Sequence, residues 1–420
     1  MPRKEVPPPP REVPVPRADV HTGRPVAYPM ARTRPDRPPD GFARLGRIGP
    51  VARVMLPDGT AVWAVTGHAE IRSLLADSRV SSDPAKPGFP RLRPVPDGRP
   101  ARREPEPGAE RPVRTFVEMD EPVHAVHRRI AIPAFSVRRI RALRPLIEKD
   151  ADHLLDRLLE TGPPADLVPG FAVPLPSMAL GHLFGLPWAD HAYFRERADA
   201  AVLDKGQAGP ALTELRGYFD RLLATRPGGG LLGHLVMGDG RGRVTRAELA
   251  AMCVMIVVAG HETTANTIAL SVPALLGHPD QLALMRSGPG AAPAVVEELL
   301  RFLTVPETIL RSALADIVIG GRVIRAGDGV LLLPAAANRD RAAFPDPDVL
   351  NAGRAARHHL AFGHGVHQCL GQNLARLELE VALSALFRRI PGLRLTAPAA
   401  RLPLKGPGGL QGVAALPVSW

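Results

Sequence analysis

The alternation of apolar and polar positions changes character several times along this chain of 420 residues. From Met1 to Pro39 proline recurs without any apolar period. Such a stretch buries too little surface to fold and is expected to be a flexible or polyproline-like tail. Val51 to Val65 reads as a β-hairpin, with two apolar-alternating runs flanking the turn signal Pro57-Asp58-Gly59. Residues Asp83 to Arg114 are rich in Pro, Gly and Arg and read as a long loop. From Pro122 to about Arg226 the pattern is mainly helical, and Asp239 to Gly242 reads as a turn. Thr245-Arg-Ala-Glu248 is a capping box that opens a long helix from Arg246 to about Leu276. Another helix is expected over roughly Ala291 to Leu303. Short strands follow at Ile317–Ile319, Arg322–Ile324 and Val330–Leu333, with Gly turns between them. Phe344 to Arg357 is irregular, and Leu370 to Arg389 is strongly helical. The pattern predicts a mainly α fold with a minor β part: a tail over 1–27 and a single domain over 28–420.

Composition narrows the function classes. Hydrophobic residues make up 45 % of the chain, enough for a sizeable core. Two cysteines exclude a disulfide framework and suit a reducing cytoplasm. The net charge of +11 comes almost wholly from arginines and fits nucleic acid, acidic lipid or an acidic protein partner. No zinc-finger spacing is present and aromatics are only 4 %, which argues against nucleic acid. The N-terminus lacks the apolar core of a signal peptide. The most apolar run, Leu249 to Gly260, falls short of the about 20 residues that span a bilayer. The expectation is a cytoplasmic monomer without a membrane anchor.

Several local patterns carry candidate chemistry. Cys369 lies in the Gly-rich stretch Phe362-Gly-His-Gly-Val-His-Gln-Cys369-Leu-Gly371, just before a helix. The amides of Leu370, Gly371 and Gln372 would stabilise a thiolate there. Gly363 and Gly365 would let the loop turn tightly, and Phe362 could shield the sulfur. A buried structural cysteine remains open as an alternative. So does a zinc site drawing on His358, His359, His364 and His367, although the spacing matches no closed zinc motif. Cys253 falls in the apolar helix and reads as core. In that helix, Ala259-Gly260-His261-Glu262-Thr263-Thr264 interrupts the apolar run. A threonine bonded back to the carbonyl four residues earlier would loosen the helix, leaving a carboxylate beside a hydroxyl as a proton relay or simply a satisfied kink. Glu298 and Arg301 share a helical face among apolar residues, with Arg354 a candidate third partner; an ordinary surface pair is the alternative. His124 and Arg128 likewise share a face, suited to binding carboxylates or to facing solvent.

Taken together, in this order and at these distances, the motifs resemble those of the cytochrome P-450 superfamily. Phe362-x-x-Gly365-x-x-x-Cys369-x-Gly371 resembles its haem-binding signature, and Ala259-Gly-x-Glu-Thr-Thr264 its oxygen-activating motif. Glu298-x-x-Arg301 resembles the family's helix-K pair, with Arg354 at the third position of that triad. His124 and Arg128 resemble its propionate pair, and Arg311 and His367 occupy two further propionate positions. Likeness runs from about Tyr28 to Trp420 and is most specific for soluble actinomycete enzymes of secondary metabolism and xenobiotic oxidation. The Arg- and Pro-rich loop from Asp83 to Arg114 departs from what the family leads one to expect.

This resemblance implies haem b (iron protoporphyrin IX) held between the long central helix and the C-terminal cysteine loop, with Cys369 as the metal ligand. Phe362, Gly363, Gly371 and Ala259 would border the cofactor, and Glu262 and Thr263 would be the catalytic pair. It implies a monooxygenase that hydroxylates or epoxidises a lipophilic small molecule such as a polyketide, macrolide or xenobiotic. Electrons would come from NAD(P)H through a ferredoxin reductase and an acidic ferredoxin, docking near Arg129 and Arg376. Val258, Ala259, Val305, Ile309 and Leu410 would line the substrate pocket, together with the Asp83 to Arg114 loop and the segment around Asp190 to Pro210. A peroxide-driven peroxygenase and a non-catalytic haem sensor of the same fold are the alternatives. Glu262 and Thr263 argue against both.

Overall fold

Thr245 starts the longest helix as its pattern predicts. In the computed structural model its hydroxyl accepts from the Glu248 amide at 3.2 Å, and the Glu248 carboxylate accepts from the Thr245 amide at 2.7 Å. The helix runs Arg246–Leu276, and its apolar residues are buried around most of its circumference. Helices Pro174–Phe184, His191–Leu203, Ala208–Ala224 and Gln372–Arg389 pack against it. The structure describes residues 26–92, 113–203, 206–225, 228–238, 243–407 and 409–420. The Asp239 to Gly242 turn, the tail before residue 26 and most of the Asp83 to Arg114 loop lie outside them.

Among the described residues the central helix alone is long and apolar enough to cross a membrane by length and composition. The apolar run therefore extends well beyond Leu249 to Gly260. Its chemistry is that of a core helix, because other helices of the same chain cover it.

The β part is a six-stranded sheet beside the helices. Val51–Met55 and Ala61–Val65 form the expected hairpin, with Val51 opposite Val65 and Met55 opposite Ala61. Gly329–Leu332 lies parallel to the second of these strands and antiparallel to Ile309–Ala313. The last strand is missed by the sequence pattern, because Arg311 and Ser312 interrupt its apolar run. Val26–Ala27 pairs in parallel with the first hairpin strand, with Val26 opposite Val54. The small hairpin of Ile317–Ile319 and Arg322–Ile324 turns on Gly320 and Gly321, both at positive φ. A separate three-stranded sheet joins Ala165–Asp166, Arg394–Leu395 and Pro417–Ser419, tying the C-terminus to the helical layer.

Candidate active site

Cys369 sits at the junction of the Gly-rich loop and helix Gln372–Arg389, which starts two residues later than its pattern suggests. Its amide donates to the Phe362 carbonyl at 2.9 Å, closing the loop on itself. Gly363 and Gly365 both adopt positive φ. The tighter position is Gly365, where a Cβ would lie 2.3 Å from the Leu75 carbonyl oxygen; at Gly363 it would meet only an ordinary contact. Burial pushes the Cys369 thiol upward, while the Gly371 amide, the charges of Arg128 and Arg376 and the Gln372 amide pull it back. The same donors would hold a thiolate once a metal displaced the proton. Cys253 is fully buried in the central helix, as expected of a core residue.

A cluster of cations assembles beside this loop from distant parts of the chain. Helix Val123–Ala131 presents His124 and Arg128 on one face, and Arg128 donates to the Gln368 carbonyl. The rings of His124 and His367 lie 4.2 Å apart. His367 Nε2 is 2.9 Å from the Ser82 hydroxyl, and His124 Nδ1 is 2.9 Å from a Glu121 carboxylate oxygen. Arg311 reaches the group from strand Ile309–Ala313, with its pKa lowered to about 10 by burial. Burial, then Arg311, His124 and Arg128, push His367 down to about 3. Asp120 opposes both shifts, but it is already bonded to the Ser81 hydroxyl at 2.5 Å and the Ser82 amide at 2.8 Å.

His124 Nε2 is buried without a hydrogen-bond partner. A buried nitrogen without a partner, and a His367 depressed by burial and by Arg311, His124 and Arg128, beside one thiol fit a group carrying two carboxylates, as the propionate edge of haem does. Cys369, His124, Arg128, Arg311 and His367 therefore fit a haem held at this loop. Zinc fares differently. His358 stacks on Phe344, His359 faces Glu297 and His367 meets Ser82, so the histidines disperse. Among the described residues no group of three or more His, Cys, Asp or Glu side chains could hold a metal ion.

The central helix carries its polar interruption at Gly260 to Thr264. The Thr263 hydroxyl donates to the Ala259 carbonyl at 2.6 Å, Thr267 repeats the bond to Thr263 at 2.7 Å, and Ser271 repeats it to Thr267 at 2.7 Å. This back-bonding ladder satisfies the hydroxyls within the helix. Glu262 lies on the next face and pairs with Lys405 Nζ at 2.8 Å. Sequence spacing could not show that partner, which lies 143 residues away in the C-terminal segment.

Glu298, Arg301 and Arg354 do meet. Glu298 and Arg301 are buried within helix Ala292–Leu303 and joined by two bonds of 2.8 Å, and Arg354 Nε reaches the same carboxylate at 3.3 Å. Two other expectations change. Arg376 is not a free docking cation, because it pairs with Glu297 and its guanidinium lies 4.6 Å over the Phe362 ring. Arg129 stays exposed and lines a surface pocket of about 270 Å³. Of the residues read as lining the substrate pocket, Val258 and Ala259 are exposed midway along a helix whose other residues from Leu249 to Leu275 are buried or half-buried. Ile309 and Leu410 are half-buried, while Val305 is 3 % exposed and packs into the core.

The fold and this constellation define a haem-binding oxidoreductase. A family model described as Cytochrome P450 matches residues 292–390. The chain is 46 % identical to pentalenic acid synthase of Streptomyces avermitilis over 94 % of this chain and 98 % of that protein. It is 43 % identical to 20-oxo-5-O-mycaminosyltylactone 23-monooxygenase of Streptomyces fradiae, over 94 % of this chain and 93 % of the relative. The solved structure of the mycinamicin VIII C21 methyl hydroxylase of Micromonospora griseorubida, bound to mycinamicin VIII, superposes with a TM-score of 0.82. It is 39 % identical and covers 94 % of this chain and 100 % of its own. The chain belongs to the cytochrome P450 family and is a haem-dependent monooxygenase. Proteins of this type take electrons from redox partners and act on small-molecule substrates.

Proposed function

We propose that this enzyme hydroxylates or epoxidises a bulky lipophilic secondary metabolite of macrolide or polyketide type. It would use electrons passed from NAD(P)H through a ferredoxin reductase and a ferredoxin. The observation that carries this reading is the exposed apolar step of Val258 and Ala259 near Thr263, in a helix whose other residues from Leu249 to Leu275 are buried or half-buried. Two relatives with macrolide names or ligands support the substrate class. The enzyme is read as cytoplasmic and monomeric, with haem b as its cofactor.

Haem bound here would supply reductive activation of O2. Cys369 would ligate it from the loop side, its negative charge held by the Gly371 and Gln372 amides. Arg128 and Arg311 would neutralise the propionates, and His124 and His367 would hydrogen-bond them and fix the orientation of the group. The Thr263 hydroxyl has two lone pairs and one proton, and that proton now satisfies Ala259. Rotation away from that carbonyl would let the hydroxyl donate toward the pocket. Glu262 would carry protons inward from solvent, which requires its carboxylate to leave Lys405.

The test is the spectrum of the reduced, carbon-monoxide-bound holoenzyme. The thiolate-shifted Soret band is expected in the parent and absent in Cys369→Ser. A parent lacking that band would sink the assignment of Cys369.

A further inference from the structure

One buried titratable group that this mechanism leaves unused is His261, between Gly260 and Glu262. It is completely buried. Its Nδ1 lies 3.1 Å from the Ala198 carbonyl of helix His191–Leu203. Its Nε2 lies 2.8 Å from the Val173 carbonyl, at the junction with helix Pro174–Phe184. A third acceptor, Asp199 Oδ1, stands 3.4 Å from Nε2 and is itself buried with no hydrogen bond. Three acceptors surround a ring that has one N–H when neutral and two when protonated. The helices also come close here: a Cβ on Gly260 would lie 3.2 Å from Leu180 Cδ2.

Burial draws the ring toward its neutral form and Asp199 toward its acid, while the charge of each draws the other back. A proton on either member therefore changes what the other can bond. With that proton on the ring, both carbonyls receive an N–H; with it on Asp199, one carbonyl is released. Other charged groups acting on the pair are Glu262 on the central helix and Arg195 on helix His191–Leu203. Helix Pro174–Phe184 contributes the Ser177 hydroxyl, and its one titratable side chain, His182, is bonded to Asp150.

We propose that His261 is a positioning residue that locks helix His191–Leu203 to the turn of the central helix carrying Glu262 and Thr263. A ligand that shifts the one helix then alters the hydrogen bonding of the other. The consequence for proton delivery rests on the monooxygenase reading above; the mechanical coupling does not.

Amide hydrogen exchange of the haem-loaded full chain tests it, with helix Gln372–Arg389 as the internal reference. Relative to the parent, His261→Phe should speed exchange roughly tenfold in both 191–203 and 259–264, as loss of buried hydrogen bonds predicts, and leave the reference unchanged. His261→Asn keeps an amide NH2 on a shorter side chain that cannot span both carbonyls, and should fall between parent and His261→Phe. Asp199→Asn changes the other helix, yet should speed exchange in 259–264 as well. Uniform acceleration that includes the reference helix would show mere destabilisation and overturn the proposal. So would an Asp199→Asn effect confined to 191–203. Should His261→Phe fail to fold, the Asn variants at both positions decide the matter. The carbon-monoxide spectrum is recorded alongside, so failure of the haem assignment and failure of the coupling are read separately.

Discussion

Replacing Arg301 by lysine keeps the charge and most of the length, and the surroundings of Arg301 make the outcome calculable. The guanidinium is completely buried. It donates twice to Glu298 at 2.8 Å, to the carbonyls of Asn338 at 2.7 Å and Pro347 at 2.9 Å, and to Val349 at 3.3 Å. An ammonium offers three donors from one point and cannot serve a carboxylate and three separated carbonyls together. At least two of these five bonds are lost, at about 1–3 kcal/mol each, so Arg301→Lys should lose about 2–6 kcal/mol. Arg301→Met removes the charge as well and should lose at least as much, because Glu298 then keeps only the Asn351 amide and Arg354. The loss should reach the active site: Asn338 also accepts from the Leu360 amide at 2.8 Å, two residues before Phe362. Urea unfolding of the holoenzyme measures the first effect, and haem retained per chain after gel filtration measures the second. Arg301→Lys within about 1 kcal/mol of the parent, with full haem content, would refute the reasoning.

Further outcomes follow from the site. Thr263→Ala should keep haem and substrate binding but divert electrons from NADPH into hydrogen peroxide; unchanged product per NADPH would remove Thr263 from proton delivery. Burial alone would raise the Glu297 carboxyl, but hydrogen bonds from His359 and Arg376 outweigh it and hold it at about 2. A depressed folded pKa contributes stability above the unfolded value that is lost as pH falls from about 4.5 toward 2. Glu297→Gln should therefore flatten the acid limb of a stability profile in that window, and an unaltered slope would reject the pairing. Arg129→Glu should slow reduction by an acidic ferredoxin, and the parent rate should fall with added salt; a rate insensitive to both would move the docking face elsewhere.

The reach of the sequence differs from residue to residue. The central helix was legible because its capping box and apolar run are local, and local chemistry sets helix ends. The Val51–Val65 hairpin was legible for the same reason. The strand Ile309–Ala313 was not, since its pairing is decided by neighbours on either side of the sheet. Arg376 shows the limit for function: its type and position suit a docking surface, yet its charge is committed to Glu297 on another helix.

By itself the sequence singled out the residues proposed to carry the chemistry. Cys369 with its glycines, the Glu262–Thr263 pair, Glu298 with Arg301, and His124 with Arg128 are each defined by spacings within a turn or two of chain. Tertiary structure alone decided who partners whom: Lys405 with Glu262, Asp120 with Ser82, and His261 with Asp199, Ala198 and Val173. The physical reason is range. Helix caps and i, i+4 faces are set by a few bonds of covalent geometry. Burial and charge pairing depend on which distant segments the packed core brings within about 3 Å.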